Sequence, residues 1–483
     1  MTTIVWFRHD LRLADNPALL AACRRGGAVI PLFILDAVEP LGGAARWWLH
    51  QSLESLGRDC ARLGAPLILR RGAPTDVLDQ VIAETKADAV YWNRCYEPLR
   101  IARDSAIKTN LVSRHIDVQS FNGALLAEPW TVTTMTGNHY KVFTPYWRTL
   151  LGHAPFAAPV PAPASLPPAP SPLPSDMLAA WALEPASPDW AQGLRATWVA
   201  GEGAAALRLA DFLDTDVADY PTARDRMDKD ATSRLAPHLH WGEISPRQIW
   251  QAASMKADAD PAAAQGVAAF QRQLGWRDFS AYLLFHWPHM ATRAWKEEYE
   301  NFPWQNNETH FRRWTKGETG YPVIDAAMRC LWETGTMHNR ARMLVASFLI
   351  KHLLIDWRRG AEWFEDTLVD ADVANNRAGW QWVAGSGADA SPYFRIFNPV
   401  LQGEKFDPAG TFTRRWVPEL AGLDDRFLHK PWCAPARALS EAGIRLGETY
   451  PMPLTDHDAA RARALGALAS MKKNQSTDEL EDV

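Results

Sequence analysis

Two hydrophobic rhythms follow one another along the chain. Near the N-terminus, short solid apolar runs occur at TIVWFR (Thr3–Arg8), AVIPLFIL (Ala28–Leu35), PLILRR (Pro66–Arg71), AVYWNR (Ala89–Arg94) and VQSFNG (Val118–Gly123). Helical stretches such as Trp47–Leu63 and Ala73–Thr85 separate them. Strands alternating with helices predict a parallel, Rossmann-like sheet covered on both faces. From Trp190 onward the helical period dominates, beginning with Ala204–Leu213. Val323, Ala326, Ala327, Cys330 and Leu331 follow the spacing of one helix face. Met343–Ile355 is apolar nearly all round, broken by Ser347, Lys351 and His352, which predicts a helix inside a large core. His457–Lys472 predicts a last amphipathic helix.

Between the two rhythms, His153–Pro174 is rich in Pro and Ala and reads as a linker. The expected organisation is an α/β domain at 1–130, a linker at 131–195, an all-helical domain at 196–475 and a short acidic tail at 476–483. The loop after the first strand lacks a GxGxxG, which excludes a dinucleotide site of the usual kind. There, Asp10-Leu11-Arg12 reads equally as a polar helix entry or as a ligand contact.

Composition narrows the classes. A chain of 483 residues exceeds one ordinary core. Arg8, His9, Asp10 and Arg12 interrupt the first apolar run, so no secretory signal is read, and no run is long enough to span a bilayer. Five scattered cysteines without a CxxC predict free thiols in a reducing cytoplasm and no metal site. A net charge of −5 leaves room only for a local basic patch on nucleic acid. The 23 tryptophans are the unusual feature. Most must be core, yet the segment around them also holds Asn339, Arg340, Arg342, Asp370, Asp372, Asn375 and Asn376. A core tolerates such groups only when they are paired or ligand-bound. Polar groups among Trp and Leu suggest a pocket for something large, flat and polar at its edges.

The motifs GYPVIDAAMR (Gly320–Arg329), MHNRARM (Met337–Met343), LLIDWRRG (Leu353–Gly360), NNRAGWQW (Asn375–Trp382) and YFRIFNP (Tyr393–Pro399) resemble the flavin-binding domain of the photolyase/cryptochrome family. The resemblance extends through TSRLAPHLHWGEISPRQIW (Thr232–Trp250) to VWFRHDLRLADNPAL (Val5–Leu19). It implies an α/β antenna domain followed by a helical FAD domain. Tyr220 with Thr232, Ser233, Arg234 and Leu235 would then hold the FAD phosphates, as hydroxyls and backbone N–H groups opening a helix can. Arg277, Arg342, Asp370, Asp372 and Asn376 would surround the flavin, Arg342 pairing with Asp370 and Asn376 facing N5.

The resemblance also implies damaged DNA as partner. Trp276 and Trp382 match the pair that holds a flipped-out pyrimidine dimer, with Gln273, Asn339 and Met343 as neighbours and Arg277, Arg340 and Gln402 at the rim. Trp380, Trp357 and Trp304 match the chain through which the flavin is photoreduced. Two residues apart on a helix, Trp380 and Trp382 point about 200° apart, so both roles can be filled.

Three branches are separable by residues. Plant cryptochromes carry Asp where this chain has Asn376, (6-4) photolyases carry paired His, and the DASH type replaces Trp382 by Tyr. A cyclobutane pyrimidine dimer photolyase is the reading, of class III by ARWWLHQSL (Ala45–Leu53), otherwise class I. A signalling photoreceptor is the alternative, disfavoured by the short tail; a dark flavin oxidoreductase is a third. The expected antenna is methenyltetrahydrofolate, although Leu99-Arg100 replaces the Asn-Glu of the best-known folate site. An 8-hydroxy-5-deazaflavin is the alternative, with Trp47, Tyr96 and Glu97 as candidate lining. The family generally has Glu where this chain has Gln273. The protein is expected to be a cytoplasmic monomer with no membrane contact.

Overall fold

The computed structural model describes residues 1–36, 41–389 and 394–481, from 473 onward by backbone alone. The chain divides into two compact units. One comprises Met1–Pro221, Thr232–Pro288 and Val369–Asp372; the other comprises Thr222–Ala231, His289–Leu368 and Val373–Val483.

In the first unit, β1 (Thr2–Phe7), β2 (Ala28–Leu35), β3 (Ile68–Arg71), β4 (Ala89–Asn93) and β5 (Asp117–Phe121) form one sheet in the order β3-β2-β1-β4-β5. All neighbours are parallel, with Thr2 opposite Ala28 and Thr3 opposite Ala89. The crossovers are α1 (Pro17–Arg25), α2 (Gly43–Arg62), α3 (Pro74–Thr85) and α4 (Pro98–Ser113). Alternate strand residues go to opposite faces. Val5, Phe7, Val29 and Phe33 pack with Trp47, Trp48 and Leu53 of α2, whereas Ile4, Trp6, Ile30 and Leu32 pack with Val77, Leu78 and Val81 of α3. Both faces being covered is why these strands read as unbroken apolar runs. Each fully buried side chain such as Leu78 contributes on the order of 2 kcal/mol.

The Asp10-Leu11-Arg12 turn is structural. Asp10 accepts the Arg8 amide at 2.6 Å and the Asn93 side-chain amide at 2.6 Å. Arg12 donates to the carbonyls of Gly123 and Gly242 at 2.7 and 2.9 Å. Asn16 caps α1, whose first residue is Pro17.

No helix or strand occurs between Leu151 and Leu178, as the Pro/Ala composition predicts. The segment is nonetheless strapped to the sheet domain: Leu166 donates to Leu63 at 2.7 Å and Val29 donates to Pro167 at 2.8 Å. The expected linker at 131–195 also contains a regular helix, α5 (Phe143–Leu151). The first unit continues through the helix Ala264–His286, which packs on α5. Asp278 of that helix accepts the Leu126 amide at 2.7 Å, a bond that ties it to the end of the sheet domain. The division at Pro288 therefore differs from the boundaries expected at 130 and 195.

The second unit is helical. Pro322–Thr334 starts at a proline and ends at Gly335 in the left-handed conformation. Asn339–Ser347, Trp357–Thr367, Val373–Ala384 and Pro399–Phe406 follow. The helix expected through Met343–Ile355 is not continuous. It widens into a π-helical turn at Phe348–His352, and Leu354 takes φ +51. The polar interruptions explain this: Lys351 donates to the Arg395 carbonyl at 2.6 Å and His352 lies 2.9 Å from His457. The last helix runs His457–Glu481, past the expected end at Lys472 and through most of the expected tail; residues 482 and 483 lie outside the described residues. Pro392 and Tyr393 of PYFRIFNP also lie outside them. No helix among the described residues is long and apolar enough to cross a membrane.

Candidate active site

The helix Ala264–His286 carries Gln273, Trp276, Arg277 and Asp278 on adjacent turns. Trp276 is half-buried, and the Phe143 ring lies on it at 3.7 Å with 8° between planes. Arg277 donates to the carbonyls of Ala124 (2.6 Å) and Leu239 (3.3 Å), so much of its donor capacity is spent locally. Gln273 donates to Ala269 one turn back, at 3.2 Å. Burial raises the Asp278 carboxyl to about 7, against the pull of Arg277 and the Leu126 and Ala127 amides. Asp278 is thus largely protonated below neutrality and about half protonated near pH 7.

Thr232 to Leu235 form a turn whose carbonyls at Thr232 and Ser233 are held by Arg208, at 2.9 and 3.0 Å. Arg234 adopts φ +52, its guanidinium 4.7 Å above Trp198. The helix that follows is only Ala236–His240. Any grip on phosphate must come from the turn's own groups, because a single helical turn has little macrodipole. Tyr220 is buried against Phe212 and Phe270. In the same unit the Asp372 amide donates to Asp370 at 2.7 Å, and Trp241 donates to Val369 at 3.3 Å. Burial lowers His240 to about 4 despite the attraction of Asp372 and Asp370, so it is neutral there.

A cavity of about 480 Å³, including the space at its mouth, opens at the C-terminal edge of β1 and β2. Its lining includes Trp6, His9, Phe33, Asp36, Arg100 and Arg103. Trp47, Tyr96 and Glu97 are not part of that lining. Trp47 is packed in the sheet core, the Tyr96 hydroxyl donates to Glu128 at 2.8 Å, and Glu97 pairs with Arg100 at 3.4 Å.

In the second unit, Asn339, Arg340, Arg342 and Met343 lie on Asn339–Ser347, a helix capped by the His338 ring. It packs against Val373–Ala384, which carries Asn376, Trp380 and Trp382. Asn339 is exposed; Arg342, Met343, Trp382 and Gln402 are half-buried. Arg342 donates to Met337 at 2.8 Å. Arg340 is ion-paired with Asp225 at 2.6 Å and lies 4.5 Å above Phe406, so its charge is already compensated. The Asn376 side-chain nitrogen donates to Ala361 (3.0 Å) and Glu365 (3.2 Å), while its Oδ1 takes no hydrogen bond among the described residues. That arrangement leaves an oriented acceptor, which fits the N5–H of a reduced flavin.

Sequence comparison matches residues 3–166 to the DNA photolyase model and 270–470 to the FAD binding domain of DNA photolyase. The chain is 51% identical to the deoxyribodipyrimidine photo-lyase of Agrobacterium fabrum over 97% of its own length and 98% of the relative's. The chain belongs to the DNA photolyase family. The crystal structure of a bacterial class III photolyase from Agrobacterium tumefaciens superposes with a TM-score of 0.95 at 50% identity, covering 98% of each chain. Cryptochrome-2 of Arabidopsis thaliana is 38% identical over 98% of this chain, which spans 79% of it.

In this photolyase-family chain the three tryptophans matching the photoreduction chain all fall in the second unit. Trp380 is 2% exposed and its indole nitrogen has no partner among the described residues. It lies on Gly360, where a Cβ would come within 2.1 Å of the ring. Phe364 and Trp314 meet it edge-on, with centroids 5.1 and 6.3 Å away. Trp357 is buried at the start of its helix, below Arg358 and Arg377. Trp304 is half-buried against Phe302 at 4.4 Å. Sequence reasoning missed Phe143, Trp147 and Asp278. Phe143 and Trp147 lie at i, i+4 in FTPYW, a helical signal hidden inside a segment read as linker. Among the described residues no disulfide joins the cysteines, and no group of three His, Cys, Asp or Glu could hold a metal.

Proposed function

We propose that this chain splits cyclobutane pyrimidine dimers in DNA with blue light. The observation that carries the reading is the 51% identity to a deoxyribodipyrimidine photo-lyase along almost the entire length of both proteins. FAD, when bound, supplies the light-driven electron. Tyr220, Thr232, Ser233, Arg234 and Leu235 would hold its phosphates. Arg277, Arg342, Asp370, Asp372 and Asn376 would hold its ring, with Asn376 Oδ1 as the N5 partner. Trp276 and Trp382 would stack on the extruded dimer, because an aromatic face grips any pyrimidine. Met343, Asn339 and Gln273 would border it, with Arg340 and Gln402 at the rim. The electron enters the dimer, the two carbon–carbon bonds that join the bases break so that each regains its C5=C6 double bond, and the electron returns, leaving two pyrimidines and no net redox change. Trp380, Trp357 and Trp304 would serve only to reduce the flavin beforehand.

The cavity beside β1 and β2 is proposed to hold the antenna, with methenyltetrahydrofolate first and 8-hydroxy-5-deazaflavin second. A near-ultraviolet band separates the first from the longer-wavelength band of the second. The reading carries with it a monomer working in the cytoplasm. Reduced protein incubated with dimer-containing DNA should lose dimers under blue light and none in the dark. No loss under light would overturn the assignment and leave the cryptochrome-type photoreceptor standing.

A further inference from the structure

We propose that Phe143 is a positioning residue for Trp276, fixing which indole face a DNA base can use; this rests on the reading that Trp276 stacks on the dimer. The Phe143 ring is 1% exposed and lies face to face on Trp276, 3.7 Å away and 8° from parallel. At that separation nothing can enter between the rings, so one face of the indole is closed. A base can meet only the opposite face or the outer edge.

The backing ring is itself held. One turn along α5, Trp147 lies 6.0 Å from Phe143 at 14°. Trp147 rests on Gly275, where a Cβ would come within 2.3 Å of its ring, so the residue next to Trp276 must lack a side chain for α5 to sit where it does. Phe279 meets both rings edge-on, at 5.8 Å from Phe143 and 6.0 Å from Trp276. Arg272 places its guanidinium 5.1 Å over Phe143. The indole orientation is therefore set before DNA arrives, and less ordering entropy is lost on binding.

The test measures dissociation constants of the FAD-loaded protein for a dimer-containing duplex and for the same duplex undamaged. Phe143→Leu should weaken dimer binding on the order of fivefold. Affinity for undamaged DNA and the flavin absorbance should hold. Repair should show a raised KM with kcat unchanged, and Phe143→Tyr should restore the wild-type preference. Phe143→Met, which keeps the volume without a ring face, gives the same readout if Leu impairs folding. Trp276→Ala separates the two ideas. If it abolishes the dimer preference while Phe143→Leu and Phe143→Met leave it intact, the positioning role is wrong. If Trp276→Ala also leaves the preference intact, the stacking reading itself fails. Equal loss on both duplexes, or loss of flavin, would make Phe143 a general packing residue and overturn the proposal.

Discussion

The tryptophans of Ala264–His286 and of Val373–Ala384 are built differently, although each region depends on a helical glycine. At Gly275 the missing side chain admits Trp147, which steadies the ring behind Trp276. At Gly360 it admits Trp380 itself. Trp276 is half-buried with one face clamped; Trp380 is sealed, with its indole N–H orphaned among the described residues. An orphaned buried donor costs about 1–3 kcal/mol, a cost that the core indoles Trp6 and Trp47 carry as well. A donor without an acceptor also keeps its proton when the ring is oxidised. If Trp276 stacks on the dimer and Trp380 relays electrons, as proposed, the stacking indole keeps an open side while Trp380 keeps none; Trp304, at the other end of the proposed relay, is half-buried.

The largest effect expected to sharpen this contrast concerns pH. Asp278, two residues beyond Trp276, is raised from 3.8 to about 7 by burial. The folded state then holds a proton that the unfolded chain has released, so stability falls as pH rises through that window and the loss is complete above about 7. The slope should approach roughly 1.4 kcal/mol per pH unit in denaturant titrations, and Asp278→Asn should flatten it. An unchanged slope in that variant would show the carboxyl to be ionised in the fold.

Next in size, Trp382→Ala should reduce the preference for dimer-containing DNA about ten- to hundredfold, from one lost base stack. Gel-shift competition measures it, and an unaltered preference would remove Trp382 from the recognition side. The glycines give a paired test. Gly275→Ala and Gly360→Ala should each destabilise by about 1–3 kcal/mol through overpacking. The first should impair dimer binding and the second photoreduction; identical losses in both would erase the distinction between the two regions. Smallest is Gln273→Glu. The carboxylic acid can supply a proton that the amide cannot, so the repair quantum yield should rise by no more than about 1–2 kcal/mol in effective barrier. An equal or lower yield would mean that the family's Glu has no counterpart role here.

The central strands β1, β2 and β4 were legible because both faces of the sheet are covered there, which leaves solid apolar runs within a few residues of their true ends; the edge strands β3 and β5 are partly exposed. The helical period marked Pro322–Thr334 and its glycine stop just as clearly. What was not legible depends on contacts distant in sequence. Nothing near Lys351 announces that its ammonium will reach the Arg395 carbonyl and widen the helix into a π-turn. Nor does the sequence near Arg340 announce that Asp225, 115 positions away, will pair with it. The site residues came through motifs matching a family, whereas Phe143 belongs to no such motif: its i, i+4 spacing to Trp147 marks a helix, but the ring it packs on lies more than 130 positions away.

The division of labour between Trp380 and Trp382 is tested most directly by measuring two rates in Trp380→Phe: photoreduction of the oxidised flavin, and light-driven repair by protein reduced chemically beforehand. Photoreduction should fall at least tenfold, because Phe is far harder to oxidise, while repair by pre-reduced protein stays near wild type. Collapse of both rates together would place Trp380 in the recognition pocket and contradict the account.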